Sequence, residues 1–327
     1  MNELIPGVAH PLVGAARPNR LRVVNARFGR FVEGVSEQSM LLSLYPFSCV
    51  TPLRYTDNTT IDAVLTLFEA NPILTLAALR EAELQVGHAI RSLLRPGVSW
   101  GKEHNMAVDS PDRLLEFEQI WHPEYQRYSE HVFNHLIRVP LGVLGARSGK
   151  DFHSPALSNR VAVLANNGLE SLAQGFDPAI RNAISHGTTI YTDHSIVYAD
   201  KRQTKEVWAS NFRKYFDPLV TTCNSLVVGI LLFVCRNAAL MRERGLGELP
   251  FAVRYLLVKG AASHDGFDIR DAVETEIAGK PQLNIYAKST TKSRIVHLLE
   301  SLSVGVATQE FGGDRYERIL IFTDPGG

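Results

Sequence analysis

The sequence predicts an α+β protein: a mainly α-helical bundle with an inserted β-hairpin, flanked by a β-containing N-terminal region and a small C-terminal α/β domain. Apolar residues recur at helical spacing over residues 60–94, 110–140, 161–172 and 206–244, and two short runs of β-formers flank Asp193-His194. After a glycine- and proline-containing segment at 245–250, strand-like and helix-like runs alternate. A chain of 327 residues has room for two or three domains. The predicted regions are 1–58, 59–246 and 247–327.

The N-terminal region is rich in proline, glycine and β-forming residues. Its candidate strands are Leu21 to Val24, Phe28 to Val32 and Leu41 to Tyr45. We therefore expect a β-containing segment before the helical bundle.

The bundle begins with a helical pattern from Thr60 to Leu94, which Asn71-Pro72 divides into two helices. A second pattern starts at Ser110-Pro111-Asp112 and fades near Pro140. A further helix is predicted from Val161 to Leu172.

A β-hairpin is predicted next, with strands Thr188 to Tyr191 and Ser195 to Tyr198. A long apolar helix from about Glu206 to Arg244, bent at Asp217-Pro218, then completes the bundle.

The C-terminal region shows alternating strand and helix patterns. The predicted strands are Ala252 to Val258, Leu283 to Ala287, Gly305 to Gln309 and Arg315 to Phe322. The predicted helices are Ile269 to Ile277 and Ile295 to Leu302.

The amino-acid composition limits the binding partners and the cellular compartment that can be predicted for the protein. Lys+Arg 34 and Asp+Glu 34 give a formal net charge of +0, so any nucleic-acid binding requires a local basic patch. Cys49, Cys223 and Cys235 are an odd number without metal-ligand spacing, which indicates buried thiols in a reducing cytoplasm. The apolar stretch from Leu226 to Cys235 is about half the length that a membrane-spanning helix requires, so we expect no membrane partner.

One short helix carries the most informative residues. Asp177 and Pro178 are a good helix start, and Gly187 can take the left-handed conformation that ends the helix. The helix carries a permanent cation, Arg181, and a titratable imidazole, His186, a pairing that points to phosphodiester chemistry. At about 100° per residue these two side chains diverge by roughly 140°, so they would flank a site, and a second copy of the helix would complete it.

Arg181-Asn182, three further residues and His186, followed by Gly187, resemble the signature of HEPN domains. This α-helical family includes many metal-independent endoribonucleases and toxin or phage-defence effectors. The resemblance covers residues from about Ser110 to Gly245. It implies that Arg181 binds phosphate, that His186 is the acid/base group and that Asn182 orients them.

The resemblance implies a homodimer that cleaves RNA without metal or cofactor. It also allows an antitoxin or another regulatory partner. A different class of function stays open: a non-catalytic protein whose HEPN-like domain dimerises and whose flanking regions bind a partner. In that case Arg181 makes a surface ion pair and His186 caps the C-terminus of its helix. We expect the C-terminal domain to restrain or direct cleavage.

Two basic segments are candidate RNA contacts. One follows the hairpin, and the other flanks the start of a predicted helix, where free amides also favour phosphate. The predicted RNA-binding residues are Lys201, Arg202, Lys205, Lys288, Lys292 and Arg294. His131 and His135 are four residues apart with His122 upstream, but no carboxylate or cysteine pattern completes a zinc motif, so no metal site is predicted.

Overall fold

The computed structural model describes residues 17–48, 55–94, 115–200, 203–243, 249–264 and 266–325. It confirms the α+β class: helices predominate, and two separate three-stranded sheets are present among these residues. The chain divides into two compact units. Val50–Phe233 forms the central unit, and Met1–Cys49 together with Val234–Gly327 forms the terminal unit. The regions predicted at the two ends of the chain therefore share one unit.

The described part of the N-terminal region is helical, and the prediction of strands there is wrong. Helix α1 covers residues 17–28, 3-10 turns follow at Gly29–Phe31 and Gln38–Leu44, and a short helix α2 spans Tyr45–Ser48. Val24, Phe28 and Phe31 are all buried. Their spacing of four and three residues is helical, so a shared buried face outweighs the local preference for strands.

In the residues that the structure describes, the central unit begins with seven helices. The break at Asn71-Pro72 is confirmed, because α3 and α4 meet there with a bend of 104°. The predicted helix from Val161 to Leu172 is two helices separated by Gly168, whose φ is 81°. The predicted start at Ser110-Pro111-Asp112 lies outside the described residues. The seven helices are α3 (Asn58–Glu69), α4 (Pro72–Glu81), α5 (Glu83–Leu94), α6 (residues 115–136), α7 (Arg138–Ser148), α8 (Leu157–Ala165) and α9 (Glu170–Gln174).

Helix α10 (Pro178–His186) leads into an antiparallel sheet of three strands. The predicted hairpin is β1 (Thr189–Tyr191) with β2 (Ser195–Asp200), and a third strand, β3 (Gln203–Trp208), pairs with β2. Glu206 thus lies in a strand, and the long helix α11 begins later, over Arg213–Arg236, with Pro218 inside it. A short helix, α12, follows at Ala238–Glu243.

Helix α11 is the core helix of the protein. Together with its preceding turn, over Ala209–Arg236, it is the one helix in the described residues that by itself is long and apolar enough to cross a membrane. Its most apolar window has a mean hydropathy of 2.0, and 89% of that window is buried within the protein. Helices α3 and α4 pass the same test only when taken as one bent span. The burial of α11 is what the core helix of a soluble protein shows.

The C-terminal part contains α13 (Phe251–Ala262), β4 (Phe267–Ile277), β5 (Lys280–Ser289), α14 (Arg294–Gly312) and β6 (Arg318–Pro325). Strands β4 and β5 are antiparallel, and β5 and β6 are parallel and joined through α14.

Three predictions for this part are wrong. Ala252 to Val258 is helical, Ile269 to Ile277 is a strand, and Gly305 to Gln309 belongs to α14. Because Ala252 to Val258 is buried throughout, its sequence lacks the periodicity that separates a helix from a strand.

Candidate active site

The predicted boundaries of α10 are confirmed. The side chain of Asp177 accepts a hydrogen bond from the backbone N–H of Ile180 at 3.0 Å, and Pro178 is the first helical residue. Gly187 ends the helix with φ 65° and ψ 30°. Ala183 and its apolar neighbours on the helix are buried, and α10 packs against β2 and α6. Local capping and this buried face together fix where the polar side chains of α10 emerge.

Arg181 is held by partners on two sides. Its Nε forms an ion pair with Glu130 of α6, and its Nη1 donates to Oδ1 of Asn182 at 2.8 Å. Asn182 in turn donates from Nδ2 to Oδ2 of Asp200 at 3.0 Å. Nη2 of Arg181 has no hydrogen-bond partner among the described residues. With a quarter of the side chain exposed, this nitrogen remains available to a ligand oxygen.

Glu130 contacts the candidate site and was not predicted from the sequence. It lies 51 positions before Arg181 and contacts it only through the tertiary fold. It belongs to a π-helical stretch of α6, Arg127–Phe133, and such stretches occur frequently at functional sites. Its only sequence signal is a carboxylate within the amphipathic helix that precedes the motif.

His186 is the last residue of α10; its side chain is exposed and makes no hydrogen bond or ion pair with the described residues. The backbone N–H of Gly187 donates to Ile184 O at 3.3 Å, and that of Thr188 donates to Ala183 O at 2.9 Å. Because backbone groups cap the helix end, the His186 imidazole is not needed there and faces solvent. The side chain of Asn182 hydrogen-bonds to Arg181 and Asp200 and not to the His186 imidazole.

The predicted RNA contacts are divided between the two units. Lys205 lies on β3, where it pairs with Asp177 and sits 4.0 Å from the centre of the Tyr215 ring, so its charge is already partnered. Lys201 and Arg202 lie outside the described residues. Lys288 is on β5, and Lys292 and Arg294 flank the start of α14, all in the terminal unit.

A buried imidazole lies behind the sheet that follows α10. His122 of α6 is 4% exposed, and its two ring nitrogens lie 2.9 Å from the Tyr198 hydroxyl and 3.0 Å from the Tyr191 hydroxyl. Burial lowers the pKa of His122 to about 4, so the ring is neutral near pH 7. Both nitrogens are occupied, which excludes His122 from the metal site considered with His131 and His135.

His131 and His135 instead meet His88 of α5, with ring centres 5.5 to 6.3 Å apart.

The thiols of Cys223 and Cys235 are fully buried, as expected. Burial raises the pKa of both, to about 12 for Cys235, so neither forms a reactive thiolate near neutrality. Cys49 lies outside the described residues.

Comparisons of the chain with protein-family models, with curated proteins and with solved structures found no match. The resemblance to HEPN domains therefore depends on the motif and on the helix that carries it.

Proposed function

We propose that the protein is a metal-independent endoribonuclease of the HEPN type, with its active site on α10. The observation that carries the proposal is the arrangement of Arg181. Glu130 and Asn182 fix its guanidinium while Nη2 stays open, and the same helix presents an exposed imidazole, His186. A fixed cation and a solvent-facing acid/base group are the two components that cleavage by a ribose hydroxyl requires.

In the proposed reaction, His186 accepts the proton of the ribose 2′-OH, and the 2′-oxygen attacks the adjacent phosphorus. The bond from phosphorus to the 5′-oxygen breaks, and a protonated imidazole or water returns a proton to that oxygen. The products carry a 2′,3′-cyclic phosphate and a 5′-OH. Arg181 stabilises charge that develops on the non-bridging phosphoryl oxygens. DNA is not cleaved, because it lacks the nucleophile.

Glu130 has a positioning role in this proposal. It holds Nε of Arg181 and leaves the Nη2 edge of the guanidinium toward the substrate. Its negative charge also offsets the cation, which weakens non-specific attraction to anions. Phosphate binding by Arg181 then depends on geometry more than on net charge.

Two copies of α10 would supply one cleft, because Arg181 and His186 point to different sides of a single helix. We therefore propose a cytoplasmic homodimer that acts on RNA. A toxin or phage-defence effector, controlled by an antitoxin or another regulatory partner, is the biological role that fits such an enzyme.

The decisive experiment incubates purified protein with defined RNA in EDTA and compares His186→Gln with wild type. We expect wild type to release 5′-OH and cyclic-phosphate ends and the variant to lose cleavage, since no other acid/base group is assigned. His194→Gln is the matched control, because His194 is also exposed and its ring stacks on Trp208, away from the residues of α10 assigned to catalysis. Intact RNA with wild type across conditions would instead support the non-catalytic, partner-binding alternative.

A further inference from the structure

The last strand of the C-terminal sheet is an open edge. Strand β6 pairs with β5 on one side, and no other described strand lies along its second side. It is eight residues long, and its proline, Pro325, is the last of them. No proline therefore interrupts the run from Arg318 to Asp324. Such an edge presents backbone N–H and C=O groups that can pair with a further strand.

The side chains along this edge are apolar where solvent reaches them. Leu320 is 42% exposed and Phe322 is 48% exposed. Phe322 lies opposite Tyr286 in the register of β5 and β6, and the two rings stack with their centres 5.1 Å apart. Exposed Leu320, Phe322 and Tyr286 thus form an apolar strip on one face of the sheet, and contiguous apolar surface of this kind marks interaction sites.

The helix that joins β5 to β6 leaves a second uncovered surface. A groove of about 430 Å³ lies between α14 and β6. Leu302 and Val306 of α14 and Ile319 of β6 contribute apolar side chains to its lining, and all three are only partly buried. A strand added along β6 would therefore meet apolar surface on both faces of the sheet.

The sequence of β6 is complementary to itself in an antiparallel pairing. When Ile321 lies opposite Ile321 of a second copy, Leu320 faces Phe322 of that copy. In the same register Arg318 faces Asp324, and both of these side chains are exposed. Facing residues on antiparallel strands have Cβ atoms about 4.5–5.5 Å apart, and apolar pairs and opposite charges there stabilise the pairing. Two-fold symmetry forms each of these contacts twice, and moving the axis to a neighbouring residue removes the charge pairs.

We propose that β6 pairs with β6 of a second copy of this chain, antiparallel and about a two-fold axis at Ile321. The two sheets of three strands then become one continuous sheet. The pairing satisfies the open backbone edge, covers Leu320 and Phe322, and brings the two α14 helices together over the groove. The interface lies in the terminal unit and is separate from the pairing of α10 proposed above.

Charge reversal tests the partner and the register together. Arg318→Asp and Asp324→Arg each place like charges opposite each other at two positions of the pairing. We expect each to raise the dissociation constant of the full-length assembly at least about tenfold, measured by sedimentation. An equimolar mixture of the two variants should reassemble, because every charge pair of the mixed dimer then joins one Asp and one Arg. Arg270→Asp is the matched control, because Arg270 is exposed on β4, at the opposite edge of the sheet.

A cysteine at the axis gives a second measurement. Ile321→Cys places two Cα atoms about 4.5–5.5 Å apart, within the reach of a disulfide, so mild oxidation should yield a covalent dimer on a non-reducing gel. Thr323→Cys is the control, because its two copies lie roughly 14 Å apart in this register. Wild type, oxidised in the same way, gives the background from the native cysteines.

A monomeric wild type, or no covalent dimer with Ile321→Cys, would overturn the proposal and leave the edge to a strand of another protein. Association that both charge reversals leave unchanged would also overturn it, by assigning the assembly to α10 alone. Equal cross-linking of Thr323→Cys would contradict the axis at Ile321. None of these readouts uses RNA, so this interface and the proposed nuclease activity fail or succeed separately.

Discussion

At the scale of single residues, the guanidinium of Arg181 uses a different nitrogen for each of two protein partners. Its Nε pairs with Glu130, and its Nη1 donates to Asn182. Arg181→Lys keeps the charge but cannot contact Glu130, Asn182 and a phosphate oxygen in the same geometry. If the proposed mechanism holds, kcat/KM for RNA should fall by roughly 100-fold or more, the effect of losing an oriented donor in the transition state. Initial rates on a defined oligonucleotide measure this.

The control for that substitution is Arg213→Lys, which changes an arginine in an i,i+4 pair with Asp217 at the surface of the same unit. It should leave the rate unchanged. Equal rates for wild type and a folded Arg181→Lys protein would remove Arg181 from the mechanism.

His122 gives a prediction for stability that does not depend on function. Its folded pKa is about 4, below the ordinary value of 6.5, because burial disfavours the charged ring. Between pH 4 and 6.5 the unfolded chain binds more protons than the folded protein does. The contribution of His122 to the free energy of unfolding is therefore fully present above pH 6.5 and is lost as the pH falls toward 4. A shift of this size corresponds to about 3 kcal/mol.

Urea unfolding of wild type and His122→Gln across pH 4 to 7 tests the effect. Gln can hydrogen-bond to Tyr191 and Tyr198 but does not titrate, so the difference between the proteins should shrink as the pH falls. Burial also lowers the pKa values of His135 and His153. Because both proteins contain these residues, their contributions to the pH dependence cancel in the comparison. Parallel pH profiles for the two proteins would contradict the assignment.

At the scale of elements, Arg181 and His186 point to different sides of α10, so the proposed mechanism uses a second α10. A heterodimer of one Arg181→Ala chain and one His186→Ala chain should regain about half of wild-type activity, because one of its two composite sites is complete. Differently tagged chains, co-expressed and purified through both tags, provide the sample.

Each homodimeric variant should be inactive in the same assay. An inactive heterodimer of correct mass would show that both residues act from one chain. A monomeric wild-type enzyme with full activity would exclude the shared site altogether.

The accuracy of prediction from sequence differs sharply between elements. Helix α10 was predictable in full, because Asp177, Pro178 and Gly187 act within one turn of its ends. In contrast, residues of α13 were predicted as a strand, and residues of β4 were predicted as a helix. Helix α13 is apolar on nearly all sides, so no period separates it from a strand. In β4, buried and exposed residues alternate from Phe267 to Arg270, which is a strand signal that the helix prediction missed. Periodicity identifies an element only when one face is exposed.

The candidate site was predictable only in its local part. Arg181, Asn182 and His186 follow from one heptapeptide, but Glu130 and Asp200 reach them through contacts 51 and 18 positions apart. Side chains that meet only in the tertiary fold have no characteristic spacing in the sequence by which they could be recognised.

At the scale of the whole molecule, both ends of the chain build the terminal unit. Helix α13 packs against the N-terminal turn Gln38–Leu44, and Arg20 of α1 donates to the carbonyl of Gly260. A truncation after Pro250 therefore divides this unit instead of removing a separate domain. Any regulatory role of the C-terminal region has to be tested with point variants.

Gly260 provides such a variant. A Cβ at this position would overlap the carbonyl oxygen of Leu42 and lie 2.9 Å from its carbonyl carbon, so the N-terminal turn and α13 could not keep their contact. Gly260→Ala should therefore lower stability by about 1–3 kcal/mol, as overpacking does. A Cβ added at Gly305 on α14 would meet nothing within 4 Å, so Gly305→Ala should raise stability by about 0.5–1 kcal/mol through helix propensity alone. Opposite shifts in Tm for the same substitution would establish that the two ends of the chain are packed together, whereas a stabilising Gly260→Ala would mean that they are not.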